Sequence, residues 1–177
     1  SNTGTCSFMV TVLDQTAPGI SCPANTIVAA GANCTAVLAS YTAAATATDN
    51  CGTPTKTQSP AAGATISGVQ VVTLTATDAA NNTGACSFTV SVTDQTAPGI
   101  TCPANTSVTA DLNGNYMLTN FTTAASATDN CTSNPPKTQS PAVGTVFQVG
   151  TQVITLTATD GVGLTATCNF TLTIQPG

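Results

Sequence analysis

TGACSFTVSVTDQTAPGITCPANT, residues 83–106, decides the fold. In its first half Cys86, Phe88, Val90 and Val92 share one face, and Ser87, Thr89 and Ser91 share the other. A period of two marks a half-buried strand, because successive side chains of an extended backbone point to opposite sides. The second half continues through Asp94-Gln95-Thr96-Ala97-Pro98, a joint without the Gly/Ser run of a flexible linker, which predicts limited bending there. Nearly the same string, TGTCSFMVTVLDQTAPGISCPANT, occupies residues 3–26, an offset of 80 that maps Cys6 onto Cys86 and Cys22 onto Cys102. The same offset maps Asp49-Asn50-Cys51 onto Asp129-Asn130-Cys131. KTQSPA recurs at 56–61 and 137–142, TLTATD at 73–78 and 155–160, and a third closing segment begins at Cys168-Asn169-Phe170.

The repeats divide the chain into 1–14, 15–94 and 95–177. The last two are full repeats, and 1–14 reads as the closing strand of a preceding or partner repeat. Its Cys6, Phe8, Val10 and Val12 repeat the buried face of the closing strand, so it is expected to pair outside residues 15–177. Within a repeat, Val72, Leu74 and Ala76 point inward and Thr73, Thr75 and Thr77 outward. Asp78 to Asn82 and Asp160 to Gly163 supply hairpin turns. Earlier strands are predicted at 26–30, 35–41, 54–59 and 64–67. No helical period is present. Six or seven short strands in about 80 residues predict an all-β fold of tandem immunoglobulin-like β-sandwich repeats.

Composition narrows the function. The chain has 177 residues, net charge -5, two lysines and seven acids, all Asp, with no His, Arg, Glu or Trp. Charged residues make up 5%, against roughly 25% in an average domain. No apolar run approaches the roughly 20 residues of a membrane span, and no signal peptide is visible. Two cations argue against nucleic acid and against anionic membranes. A neutral surface of Thr, Ser, Asn and Gln tolerates close association with identical subunits or neighbouring repeats, end to end. Eight Cys with no His and no Cys-x-x-Cys pair read as disulfides, which place the chain outside a reducing cytosol.

The spaced motifs DQTAPGISCP and DQTAPGITCP, TDNC at 48–51 and 128–131, TATD at 75–78 and 157–160, and CSFTVSV and CNFTLTI resemble the hyalin repeat, or HYR, family. The resemblance covers essentially the whole chain. It implies an immunoglobulin-like sandwich, an extracellular or cell-surface location, a role in adhesion or matrix, and no catalysis. Two departures stand out: T-A-P replaces the usual T-P-P, and Gly114 stands in the second repeat where the first has Cys34.

The residues themselves offer little for catalysis. A Ser–Lys pair is conceivable from Lys56 with Ser59 and Lys137 with Ser140, but nothing nearby in sequence would activate it. A strand lysine and a turn serine explain the motif as well. Asp14, Asp49, Asp78, Asp94, Asp129 and Asp160 recur beside turn residues. They are candidate Ca²⁺ ligands if sandwich ends bring their oxygens together, and otherwise turn caps. No cofactor is expected, with Ca²⁺ the one candidate ion. The Thr-rich faces and sequons such as Asn105-Thr106-Ser107 are candidate glycan sites or plain solvated surface.

The closing and opening strands should run the same way, which predicts Cys51–Cys86 and Cys131–Cys168. Cys34 is then expected to reach Cys102 across the joint, with Cys6 and Cys22 pairing to a preceding repeat or subunit. The alternative, Cys22–Cys34, would have to bridge a strand of about eight residues. At roughly 3.3 Å each that exceeds the roughly 7 Å that a disulfide tolerates. The reading is a non-catalytic structural repeat of an extracellular fibre, stalk or surface adhesin. The alternatives are a Ca²⁺- or glycan-binding adhesion module, or an accessory module of a larger secreted enzyme.

Overall fold

The structure, a computed structural model, describes residues 1–177. Residues 1–14 join no β-ladder, and Phe8, Val10 and Val12 are 86%, 71% and 88% exposed. The first repeat contains β1 (Gly19–Ser21), β2 (Thr26–Ala29), β3 (Ala36–Val37), β4 (Thr46–Thr48), β5 (Thr55–Ser59), β6 (Thr65–Ile66), β7 (Val69–Thr77) and β8 (Thr83–Thr93). The second contains β9 (Gly99–Thr101), β10 (Thr106–Thr109), β11 (Asn115–Met117), β12 (Ser126–Thr128), β13 (Lys137–Ser140), β14 (Val146–Gln148), β15 (Gly150–Thr159) and β16 (Thr165–Gln175). Two short 3-10 turns, Ala32–Cys34 and Thr122–Ala124, complete the elements. The chain forms two compact units, Ser1–Ile27 with Val37–Ser91 and Val28–Ala36 with Val92–Gly177.

Both repeats use one topology. A four-stranded sheet has the order β2-β8-β7-β5 in the first and β10-β16-β15-β13 in the second. Facing it are the pairs β1-β4 and β3-β6, or β9-β12 and β11-β14. The opening segment is split between the layers. Its first part pairs antiparallel, with Ile100 opposite Ala127, and its second lies parallel to the closing strand, with Thr106 opposite Leu172. At the switch, Asn25 Oδ1 accepts from the Thr89 amide at 2.9 Å and Asn105 Oδ1 from the Thr171 amide at 2.8 Å. These bonds replace the ladder where the backbone changes sheets. This is the all-β, immunoglobulin-like sandwich expected.

The alternation places the core. Val72, Leu74, Ala76, Phe88 and Val90 are buried in the first repeat, as are Ile154, Leu156, Phe170, Leu172 and Ile174 in the second. Phe88 meets Tyr41 edge-on at 4.9 Å, and Phe170 meets Phe121 likewise at 5.1 Å. Much of the remaining core is alanine, so each repeat buries limited apolar area and depends on cross-links.

The strand expected over 35–41 shrinks to Ala36–Val37. Beyond it, side chains of the KTQSPA motif take over the backbone bonding. Gln58 Oε1 accepts from the Tyr41 amide at 2.7 Å, its Nε2 donates to the Ala39 and Pro60 carbonyls, and Lys56 Nζ donates to the Ala45 carbonyl. Gln139 and Lys137 repeat these contacts on Phe121, Thr119, Pro141 and Ala125. Strands β1 and β4 leave no signal in the sequence, because three residues are too few to show a period of two.

The disulfides correct the expected pairs. Cys22 joins Cys86 and Cys102 joins Cys168, each with Cα atoms 5.7 Å apart. Cys51–Cys86 and Cys131–Cys168 do not form, and Cys22 does not pair outward. The reason is the parallel register. Cys102 precedes Thr106 by as many residues as Cys168 precedes Leu172, so the pair continues that alignment across the sheet switch.

Candidate functional site

Three turns of the second unit converge. Asp94 follows β8, Asp129 follows β12 and Asp160 follows β15, and a carboxylate oxygen of each lies within 4.8 Å of the others. Each aspartate also caps its own turn. Asp94 Oδ1 accepts from the Thr96 amide at 3.1 Å, and Asp129 Oδ2 from those of Cys131 and Thr132 at 2.9 and 2.8 Å. Asp160 Oδ1 accepts from the Val162 and Leu164 amides at 2.9 and 2.8 Å. Capping accounts for one oxygen of each. The others, Asp94 Oδ2, Asp129 Oδ1 and Asp160 Oδ2, are buried without a hydrogen-bond partner. Asp160 is only 6% exposed. Buried, unpaired carboxylate oxygens of like charge are costly unless a cation completes them. Hard anionic oxygens suit Ca²⁺, which takes about six to eight oxygen ligands, the remainder coming from carbonyls or water.

The first unit repeats the arrangement with a difference. Oxygens of Asp14, Asp49 and Asp78 again lie within 4.8 Å of one another. Asp14 Oδ1 caps Thr16 and Asp49 Oδ2 caps Cys51. Asp78, however, spends both oxygens: Oδ1 on the Ala80 and Asn82 amides, and Oδ2 on Asn82 Nδ2 at 2.8 Å. Asn82 also donates to the Asp14 carbonyl at 3.2 Å. Leu164 stands at the equivalent place in the second repeat and offers no such group. Only Asp49 Oδ1 is therefore left buried and unpartnered in the first cluster. The two clusters share positions but not charge compensation.

The backbone donors tune these acids. The Cys131 amide, then that of Thr132, hold the Asp129 carboxyl below its usual range against an opposing effect of burial. Burial pushes Asp78 upward, but the Asn82 side chain and the amides of Asn82 and Ala80 outweigh it, so its pKa is lowered. Partial loss of solvent around the sulfur, followed by the charge of Asp14, raises the pKa of the exposed Cys51 thiol.

The Asp129 turn also carries the third disulfide, Cys34–Cys131, with Cα atoms 4.4 Å apart. Cys34 lies in the first repeat by sequence but in the second unit by packing. It was expected to reach Cys102, which its repeat partner Cys168 already occupies. The Cys34 amide donates to the Asn130 carbonyl at 3.0 Å, and Asn130 Nδ2 donates to the carbonyls of Ala30 and Gly31 at 3.1 and 3.3 Å. Asn33 and Cys34 both have φ of 57°, the left-handed region. Gly114 has φ of 78° at the position equivalent to Cys34, where glycine carries no steric penalty. Cys6 and Cys51 are exposed free thiols.

The Ser–Lys pairs do not assemble. Lys56 and Lys137 are engaged with backbone carbonyls, while Ser59 and Ser140 lie exposed on the opposite strand face.

Comparison with known proteins places this architecture. The family model described as HYR domain matches residues 13–92 and 93–174. The chain belongs to the HYR domain family. This HYR chain is 30% identical over 178 residues to Hyalin of Lytechinus variegatus, across 97% of its own length and 33% of that protein's. It thus spans about a third of the curated relative it matches. Among solved structures it is similar to Protocadherin Gamma C5 EC1-3, with 17% identity, TM-score 0.45, and 91% and 69% of the two chains covered. It is also similar to the Protocadherin Gamma B7 extracellular cadherin domains 1-4, with 14% identity, TM-score 0.44, and 91% and 51% covered.

Proposed function

We propose that this HYR chain is a non-catalytic structural segment of an extracellular fibre, stalk or surface adhesin. Strand 1–14 then closes a sandwich of a preceding or partner repeat, outside residues 15–177. The observation carrying this reading is the unpaired segment 1–14 itself. It has the apolar face of β8, yet Phe8 is 86% exposed where its equivalent Phe88 is 5% exposed. An open strand edge with such a face is a template for β-strand addition. Cys6, equivalent to Cys86, would then pair with the opening-strand cysteine of the sandwich it completes. Family membership and the disulfides support a location outside the cytosol. Immunogold labelling of source cells with antibody against the chain tests the assignment. Label along extended surface structures is expected, and label confined to the cytoplasm would overturn it.

The buried, unpartnered oxygens of Asp94, Asp129 and Asp160 support a second element, Ca²⁺ as a structural ion at the sandwich ends. The ion would neutralise the cluster and tie together the turns after β8, β12 and β15. Asp14, Asp49 and Asp78 would hold it more weakly, because Asn82 already compensates Asp78. Calorimetric titration with Ca²⁺ tests this. No binding up to 10 mM, on the order of ten times the weakest extracellular sites, would remove the ion from the reading.

A further inference from the structure

The Asn-Cys turn occurs twice but is filled once. In the second unit Asn130 and Cys131 hold the turn Gly31–Cys34 by four contacts: the Cys34–Cys131 disulfide, the Cys34 amide on the Asn130 carbonyl, and Asn130 Nδ2 on the Ala30 and Gly31 carbonyls. In the first unit the same Thr-Asp-Asn-Cys sequence ends at Cys51, an exposed free thiol. The Asn50 amide donates there to its own neighbour's sulfur at 3.2 Å, as Asn130 does at 3.5 Å, but it has no carbonyl partners like Ala30 and Gly31. Asp49 Oδ2 caps the Cys51 amide at 2.9 Å, as Asp129 Oδ2 caps Cys131 at 2.9 Å, so the cysteine amide is held by the same cap in both units. Cys51 also borders an open surface depression formed with Leu13, Asp14, Ala79 and Ala80.

We infer that Asn50-Cys51 is a covalent docking site for the Gly-x-x-Cys turn of another HYR repeat, presented as Gly31–Cys34 is presented to Asn130-Cys131. The occupant needs two free carbonyls before the cysteine, an amide on the cysteine itself and a left-handed backbone there. Those features select this turn over an arbitrary thiol. This chain's own Cys34 is already bonded, and Gly114 has no sulfur, so the occupant comes from a further repeat that carries the cysteine. Bond formation is a two-electron oxidation. The two thiols release two protons and two electrons to a low-molecular-weight disulfide, such as oxidised glutathione, which leaves as two thiols. The inference goes beyond the fibre reading and stands without it, since it concerns the selectivity of one turn.

The test extends the full chain by inserting a second copy of residues 15–94 between Asp14 and Gln15. The protein is refolded in a glutathione buffer and mapped by non-reducing digestion. The expected product joins Cys34 of the inserted copy to Cys51 of the original sequence, leaving Cys6 and the inserted copy's Cys51 open to alkylation. An original Cys51 that stays alkylatable, or bonds elsewhere, overturns the proposal. Should the extended protein not fold, the unmodified chain is mixed in the same buffer with a peptide of residues 28–36. An excess of roughly tenfold in peptide capture at Cys51 over Cys6 is expected, absent for a scrambled peptide and lost in Asn50→Ala. Equal capture at the two thiols overturns it.

Discussion

Replacing Cys102 and Cys168 together by alanine should nearly unfold the second repeat. The disulfide closes a stretch with sequence separation 66. Neither of the other disulfides shortens the path between these residues: the detour through Cys86–Cys22 and Cys34–Cys131 is as long as the direct chain. The full separation therefore enters the loop-closure entropy, which gives about 4 kcal/mol at 25 °C. Lost packing adds little, because only two sulfur atoms leave the edge of the core where both cysteines sit. Small domains hold roughly 5–15 kcal/mol, and one with so much alanine in its core belongs at the low end. With roughly 4–8 °C lost per kcal/mol in a domain of this size, the melting point should fall by about 15–30 °C. Differential scanning calorimetry of the double variant, beside chemically denatured samples, reads both quantities. A loss below about 1 kcal/mol would falsify the claim that these repeats depend on their cross-links.

Three further outcomes are expected. Ca²⁺ should bind the Asp94, Asp129 and Asp160 cluster with a dissociation constant on the order of 0.1–1 mM. Asp160→Asn should weaken that at least about tenfold and Asp78→Asn should leave it intact; equal effects in a calorimetric titration would contradict the asymmetry drawn from Asn82. In chelator, stability should be flat above the ordinary aspartate range near pH 4 and decline below it. Asp129 and Asp78 have lowered folded-state pKa values, so their contribution is present above the unfolded pKa and lost as pH falls through the folded one; urea melts between pH 2 and 7 check the sign. Lys56→Met should abolish no turnover and cost about 1–2 kcal/mol through the lost bond to the Ala45 carbonyl, whereas Ser59→Ala should be silent in the same melts.

Sequence periodicity made the long strands legible, because β7, β8, β15 and β16 each run for nine or more residues with alternate side chains in the core. It could not reveal β1, β4, β9 and β12, which are too short to alternate. The segment 38–45 also resisted reading. Its backbone is bonded to the side chains of Gln58 and Lys56, from a motif that looks merely repeated when read alone. The candidate ligands were legible as a set of six aspartates. Their division into two clusters, and the different burden on Asp78 and Asp160, depended on Asn82 and Leu164, four residues along each hairpin. The cysteine pairs failed for a related reason. The sheet switch at Cys22 and Cys102 brings the opening segment alongside the closing strand, and neither alternation nor strand direction encodes that crossing. The expectation that Cys34 leaves its own repeat was right in direction, but the partner was the cysteine of the Asn-Cys turn.

The left-handed backbone shared by Cys34 and Gly114 has a genetic consequence. Both glycine codons ending in a pyrimidine become cysteine codons by a single G-to-T change at the first base. Gly114 already has the positive φ that the bonded cysteine adopts at residue 34, although Asn33 is left-handed too and its equivalent Asn113 is not, so the new side chain would also require the preceding residue to turn. A lineage that duplicates such repeats could therefore gain or lose a covalent coupling by one point mutation per turn, with the surrounding strands untouched.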